Sequence, residues 1–469
     1  MTYIIQSSIY LFYIIISLQK HLNNFDRDEY LMERTYVKEL IEDGKEVLLK
    51  GLIHDIRELA KAKFILLRDN SGIVQCVVKP ESKAFNETSK LSPESVIIVK
   101  GMVKKANLTS PELTIKNFEV EIKDLELISK AETLPIQVFE KDKNIITDLS
   151  VRLDNRVLDL RKPRNAAIFK IQAALIEGMQ NYLNSQNFIQ VFTPCLMGVA
   201  SESGAEVFQV AYFGGKAYLR QDPQLHRQLT ILGGIEKLYD IGPSWRAEKS
   251  HTVKHICEHR TCAVEFAYLN DETDTMRVEE QLIVNALKNV KKKCKNELEI
   301  LNVKIKIPKI PFPELRFPEI YDILSKQGKN IQGQDLDSEA EKILWDYVKK
   351  KFKSEFYFFN RFPSKIKPFY VMYVDEQPEY ARSVDLNFKG LELSSGGQRE
   401  HRYDKIIEQV KEKGMNPQSV EWFTKFFKFG APPHGGFAIG IERLTQNLLN
   451  LSNVREAVLF ARDPDRLTP

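Results

Sequence analysis

Paired cysteines, strong net charge and a phosphate-binding glycine loop are all missing from this sequence. The five cysteines of the 469-residue chain, Cys76, Cys195, Cys257, Cys262 and Cys294, are scattered and contain no C-x-x-C pair. An odd, dispersed set argues against a disulfide framework and a structural zinc site, and it suits a reducing, cytoplasmic compartment. The net charge is only +4. A protein that coats nucleic acid without selectivity would be more basic, so nucleic-acid contact is expected from a local patch. No G-x-x-x-x-G-K-[ST] run occurs, and no G-x-G-x-x-G follows a strand pattern. A bound nucleotide would then be held by arginines and a metal ion.

Long hydrophobic runs are limited to one, Ile4 to Leu18. It is shorter than the roughly 20 residues that span a bilayer. It also lacks the basic start and small-residue cleavage site of a signal peptide. Residues 1–31 are therefore expected to be an untranslated extension ahead of a start at Met32, with no membrane anchor.

What remains is ordinary globular composition, 43% hydrophobic and 28% charged, in a chain long enough for two or three domains. Residues 32–129 carry five short runs rich in Val, Ile and Leu, separated by turn residues such as Asp69-Asn70-Ser71-Gly72. That pattern predicts a five-stranded β-barrel of the OB type, although an SH3-like barrel has a similar strand count. Residues 130–164, with Pro135, read as a hinge. From 165 to 469 the pattern is α+β, helices around an antiparallel sheet. A helix is predicted over Asn165 to Ser185, followed by a β-run, FIQVFTPCL, stopped by Pro194. Further helices are predicted over Glu272 to Lys295, Pro417 to Phe429 and Ile441 to Leu451. An insertion is expected around 270–365, its Pro-punctuated part running from Ile305 to Lys365. The basic runs near Lys291 and Lys349 read as solvated helix faces.

Three segments carry chemistry. The helix and strand ending at Pro194 form the first. In the second, YDIGPSWRAEKSHTVKHICEHRTCAVEFAYL, Arg246, Glu248, His255 and Glu258 cluster around one hairpin. An arginine there offers a planar fork of donors for phosphate or carboxylate oxygens. In the third, Gly435-Gly436-Phe437-Ala438-Ile439-Gly440-Ile441-Glu442-Arg443, glycines permit close backbone approach and Arg443 stands at a helix start. In this order the segments resemble the three signature motifs of class II aminoacyl-tRNA synthetases. ASESGAEVF (Ala200 to Phe208), YLRQDPQLHRQ (Tyr218 to Gln228), VDLNFKGLELSSGGQREHR (Val384 to Arg402) and the closing RDPDRLTP narrow the resemblance. It is to the archaeal/eukaryotic-type aspartyl-tRNA synthetases, class IIb, and it spans Met32 to Pro469.

The resemblance implies an aspartate–tRNA ligase working through aspartyl-adenylate, with ATP, L-aspartate and tRNA-Asp as partners, Mg²⁺ as cofactor, and a homodimer built on the first motif. It makes Arg246 and Arg443 catalytic and assigns ATP to Arg246, Glu248, His255, Glu258, Glu392 and Arg443. Aspartate falls to Ser201, Glu202, Gln224, Arg227, Arg246, Ser395 and Arg399. Metal falls to Asp385, Glu392 and Ser395. His54, Phe64 and Gln75 of the barrel are assigned to the anticodon. Relatives restricted to tRNA-Asp often carry Trp at the position of His54, and His is common where tRNA-Asn is also charged, which predicts relaxed tRNA choice.

The sequence also departs from the family. Arg227 replaces a usual Lys in Q-S-P-Q-x-x-K-Q, and Ala263 replaces an Asp that helps bind the substrate ammonium. His259, near the adenine, stands at a position that is aromatic in many relatives. Asn387 and Lys389 stand where Glu and Arg are frequent. These departures leave one alternative, a weakened or repurposed tRNA-binding paralogue. Two competing readings of the same fold are an asparaginyl-tRNA synthetase, opposed by Arg227 and Arg399 around a neutral amide, and an amide ligase, whose relatives lack the barrel.

Overall fold

The computed structural model describes residues 32–59, 62–139, 147–199, 207–249 and 252–469. The Ile4–Leu18 run lies outside the described residues. The chain divides into two compact units, with the boundary between Thr147 and Asp148.

The first unit is a closed barrel. Strands β1 (Glu46–Leu59), β2 (Ala62–Arg68), β3 (Ile73–Val78), β4 (Val96–Lys105) and β5 (Phe118–Ser129) pair in the order β1-β2-β3-β5-β4, and β4 returns to β1. Alternation along the strands sends Val47, Leu49, Ile65, Val74, Ile97 and Val120 inward to one apolar core. The β2–β3 turn is locked by Asp69, whose Oδ1 accepts from the backbone N–H of Ser71 (2.7 Å) and Gly72 (3.0 Å).

The second unit is built on an eight-stranded sheet. Its strands are β6 (Ile189–Gln190), β7 (Lys237–Trp245), β8 (Glu258–Ala267), β9 (Glu314–Arg316), β10 (Phe356–Asn360), β11 (Ser383–Phe388), β12 (Leu391–Arg399) and β13 (His434–Gly440). They lie in the order β9-β10-β11-β12-β13-β8-β7-β6, antiparallel except at the two edges. Helices α1 (Pro163–Ser185) and α2 (Glu272–Lys293) cover one face. Pro163 opens α1, where its missing N–H costs nothing. Ile168, Ile171, Leu175 and Met179 recur at helical spacing and enter the core. A side chain at Gly178 would meet the Ala286 backbone at 2.7 Å, so glycine sets the close approach of α1 to α2. Asp271 caps α2 by accepting from Thr273 N–H (2.8 Å), and Lys291, Lys292 and Lys293 face its negative end.

Period-two alternation then decides what each face of the sheet carries. Cys262 and Val264 of β8, Val384 and Leu386 of β11, and Phe437 and Ile439 of β13 point to the helices. Their neighbours point the other way. Asp240, Ala263, Ala438, Ser395 and Asp385 stand side by side in register across five strands.

Three expectations are corrected. Residues 148–164 belong to the second unit rather than to a hinge. Arg156, 1% exposed, donates to Asp159 (2.8 Å) and to the carbonyls of Glu456 (3.0 Å), Val458 (2.8 Å) and Leu459 (3.0 Å). The 270–365 stretch is not simply inserted, because α2 fills the core and β9 and β10 extend the main sheet. All five residues of β10, FYFFN, are buried. The β-run at FIQVFTPCL breaks into the two residues of β6 and Leu196, which opens a short separate strand with Met197, and Phe192 is 84% exposed. Among the described residues, no helix is long and apolar enough to cross a membrane.

Candidate active site

A cleft of about 280 Å³ opens on the charged face of the sheet. Gln221, Asp222, Arg246, Glu248, His255, His259, Thr261, Glu392, Ser395, Ala438, Glu442 and Arg443 are among its walls. The structure thus brings together most of the residues singled out around the hairpin and the carboxyl-terminal glycine segment.

At one end the charges are loosely held. Arg246 follows β7, is exposed, and is anchored through its backbone N–H to Cys257 O (2.9 Å). Arg443 approaches Glu392 at 3.7 Å. Lys367 pairs with Asp385 at 3.1 Å, yet Asp385 Oδ1 is buried without a hydrogen-bond partner among the described residues. Enclosure by the cleft and the Asp385 charge push Glu392 up to about 7. Glu442 accepts from Arg260 N–H (2.9 Å), and its burial also raises it to about 7. Burial and the nearby Arg246 and Arg443 push His259 down to about 4, so it is a neutral ring near pH 7. Burial also lowers His255, whose Nδ1 lies 2.5 Å from Thr252 Oγ1. Glu258 sits outside this group, paired with Arg260 at 3.3 Å.

At the other end the charges are tightly paired. Helix α3 (Gln224–Leu232) starts here. Arg399 donates from Nε to Glu265 Oε1 (3.0 Å) and from Nη2 to Gln224 Oε1 (3.2 Å) and Gly436 O (3.1 Å). Gln224 Nε2 donates to Glu265 Oε2 (3.0 Å). Arg227 Nη2 donates to both oxygens of Asp222 (2.7 and 2.8 Å) and to Gln224 Oε1 (2.9 Å). Gln224, Arg227, Glu265 and Arg399 are all buried. A Cβ at Gly436 would come within 2.6 Å of Glu265 Oε2, so glycine makes room for this network.

Three features were not named from the sequence. Asp222 carried a signal, a charged residue where the resembled motif has Ser. Lys367 carried none, because it reaches Asp385 from a separate loop. Glu279, on α2 behind the sheet, accepts from Ser394 Oγ and is pushed up to about 8 by burial. Ser201 and Glu202 lie outside the described residues.

In the barrel, Phe64 and Gln75 share the outer face. Their neighbours Ile65, Val74 and Cys76 point inward, so Phe64 stands outside the barrel core. Gln75 Nε2 donates to Glu119 (2.8 Å). His54 is not a surface histidine. It is 4% exposed, with Nδ1 2.9 Å from Arg68 Nη1 and its ring 4.5 Å from Phe139. Arg68 in turn pairs with buried Glu94 (2.8 Å).

Comparison with known proteins adds independent findings. Residues 148–464 match the family model of class II tRNA synthetases (D, K and N), and residues 47–127 match the OB-fold nucleic acid binding domain. The chain is 40% identical to the aspartate–tRNA(Asp) ligase of Pyrococcus furiosus, over 94% of this chain and 100% of that one. It is 39% identical to the aspartate–tRNA(Asp/Asn) ligase of Methanopyrus kandleri, over 91% and 97%. Among solved structures, the asparaginyl-tRNA synthetase of Pyrococcus horikoshii with asparaginyl-adenylate is similar at a TM-score of 0.85. It is 33% identical, and the match covers 94% of this chain and 100% of that one.

Proposed function

We infer individual side-chain roles from the premise that this chain belongs to the class II tRNA synthetases of the D, K and N group, as an aspartate–tRNA ligase. It activates L-aspartate with ATP and transfers it to tRNA. The observation that carries the assignment of roles is the two-ended cleft, with loosely held cations at one end and a buried arginine pocket at the other.

In the first step the aspartate α-carboxylate attacks the α-phosphate of ATP, forming aspartyl-adenylate as the α–β phosphoanhydride breaks and pyrophosphate leaves. Both reactants are anions, so positioning and charge neutralisation dominate. The nucleophile is already ionised near pH 7 and needs no general base. Arg246 bridges the α-phosphate and the attacking carboxylate. Arg443 holds the far end of ATP, with Glu248 and His255 beside the nucleotide and neutral His259 against the adenine. Asp385 and Glu392, with Ser395 beside them, suit a hard cation, since one buried oxygen lacks a partner and the two carboxylates repel. Mg²⁺ bound there would neutralise phosphate charge. Gln224, Arg227 and Arg399 form the amino-acid pocket.

The barrel takes the anticodon, with Phe64 as a stacking platform and Gln75 beside it. His54 supports charging of tRNA-Asn as well as tRNA-Asp, acting from inside the barrel wall. Exposed Ile189, Phe192 and Leu196 around Pro194 support a homodimer. A cytoplasmic location fits the five free cysteines.

ATP–pyrophosphate exchange with aspartate, asparagine and no amino acid tests the assignment. Exchange with aspartate alone is expected, and exchange with asparagine alone would reverse it. Charging of both tRNA transcripts then tests tRNA choice, and failure to charge tRNA-Asn would remove the role given to His54.

A further inference from the structure

Asp222 lies on the wall of the cleft, with 37% of its side chain exposed. Both its oxygens rest on a single nitrogen of Arg227. Arg227 is 1% exposed, and its Nε is buried without a partner among the described residues. Such a donor is costly to leave unsatisfied, which marks Arg227 as prepared for a second anion. Arg399 spends its Nε and Nη2 on Glu265, Gln224 and Gly436. The pocket thus contains two arginines and two carboxylates and is balanced before any amino acid enters.

Aspartate brings one cation and two anions. Its ammonium needs a carboxylate near the arginines, and position 263 of the floor supplies none, since Ala263 and its register partner Ala438 are both apolar. Glu265 is fully buried and already shared by Arg399 and Gln224. Among the described residues, Asp222 is the carboxylate of this pocket that remains reachable from the cleft.

We propose that Asp222 is the ammonium anchor of this enzyme, and that aspartate binds by exchanging partners with the Asp222–Arg227 pair. The substrate ammonium takes Asp222, and the substrate side-chain carboxylate takes Arg227. No ion is left alone. Asparagine completes only half of the exchange, because its amide offers Arg227 no negative charge, so the same pair helps reject it. The carboxylate missing at Ala263 has in effect moved to position 222. The proposal rests on aspartate being the amino acid of this site.

The test compares aspartate with succinate, the same skeleton without the amino group, by calorimetric binding and by exchange kinetics. For Asp222→Ser and the isosteric Asp222→Asn, aspartate binding and KM are expected to weaken about tenfold to a hundredfold, with kcat changed far less. Succinate binding should stay within about threefold or tighten, since Arg227 is released. Asp222→Ser combined with Ala263→Asp should recover aspartate binding. Equal weakening of aspartate and succinate would indicate a merely structural pair and overturn the proposal, as would unchanged aspartate binding. Wild-type exchange with aspartate tests the underlying activity separately, because succinate and aspartate binding are read without turnover.

Discussion

The two ends of the cleft solve opposite problems. At the open end, Arg246 has no side-chain partner among the described residues, Arg443 is 3.7 Å from its nearest carboxylate, and Asp385 keeps an unpartnered oxygen. At the paired end, each buried arginine sits within 3.0 Å of a carboxylate oxygen. A polyanion with its cation can fill the first end by adding charges. A zwitterion of defined shape can enter the second only by trading them. Open charge provides attraction, and paired charge provides selection, because a wrong ligand leaves an ion buried alone.

Arg246→Ala attacks the open end and should have the largest effect. Pyrophosphate exchange is expected to fall about a thousandfold, mostly in kcat, while the protein keeps its stability. A loss confined to KM would place Arg246 in binding alone. Arg399→Gln attacks the paired end. The KM for aspartate should rise about a hundredfold, and stability should fall by about 3 kcal/mol because Glu265 is stranded in the interior. If ATP binding weakened as much as aspartate binding, the two ends would not be separable. Phe64→Ala sharpens the contrast from outside the cleft. The KM for tRNA should rise about tenfold with amino-acid activation unchanged, and altered exchange would contradict the division of labour.

The smallest effect is one of pH. Glu279 keeps its proton in the folded state up to about pH 8, whereas in the unfolded chain it loses it near the ordinary 4.5. Between those values the folded state binds more protons, so wild-type stability falls as pH rises through the window. Glu279→Gln should flatten that slope in urea denaturation curves measured from about pH 5 to 8. An unchanged slope would mean that Glu279 is ionised where it faces Ser394.

The sequence made the alternating strands legible, since a two-residue period is local information. It concealed β10, whose FYFFN run does not alternate because both of its faces are buried. It also concealed the start of the second unit, because Arg156 is held by carbonyls some 300 residues away. The site followed the same rule. Arg246, Gln224, Glu392, Arg399 and Arg443 stood in contiguous segments, and all fall at the cleft or the pocket below it. The pairing of Asp385 with Lys367 and the burial of His54 against Arg68 depend on contacts that no local pattern specifies.

The side-by-side row of Asp240, Ala263, Ala438, Ser395 and Asp385 has a consequence for how this enzyme can vary. Adding or removing one residue within β7 or β11 would turn their helix-facing apolar side chains toward the cleft and drive Asp240 or Asp385 into the oil behind it. A point substitution on this floor leaves the alternation of the two faces intact. Changes in length are confined to the hairpins and loops that border it.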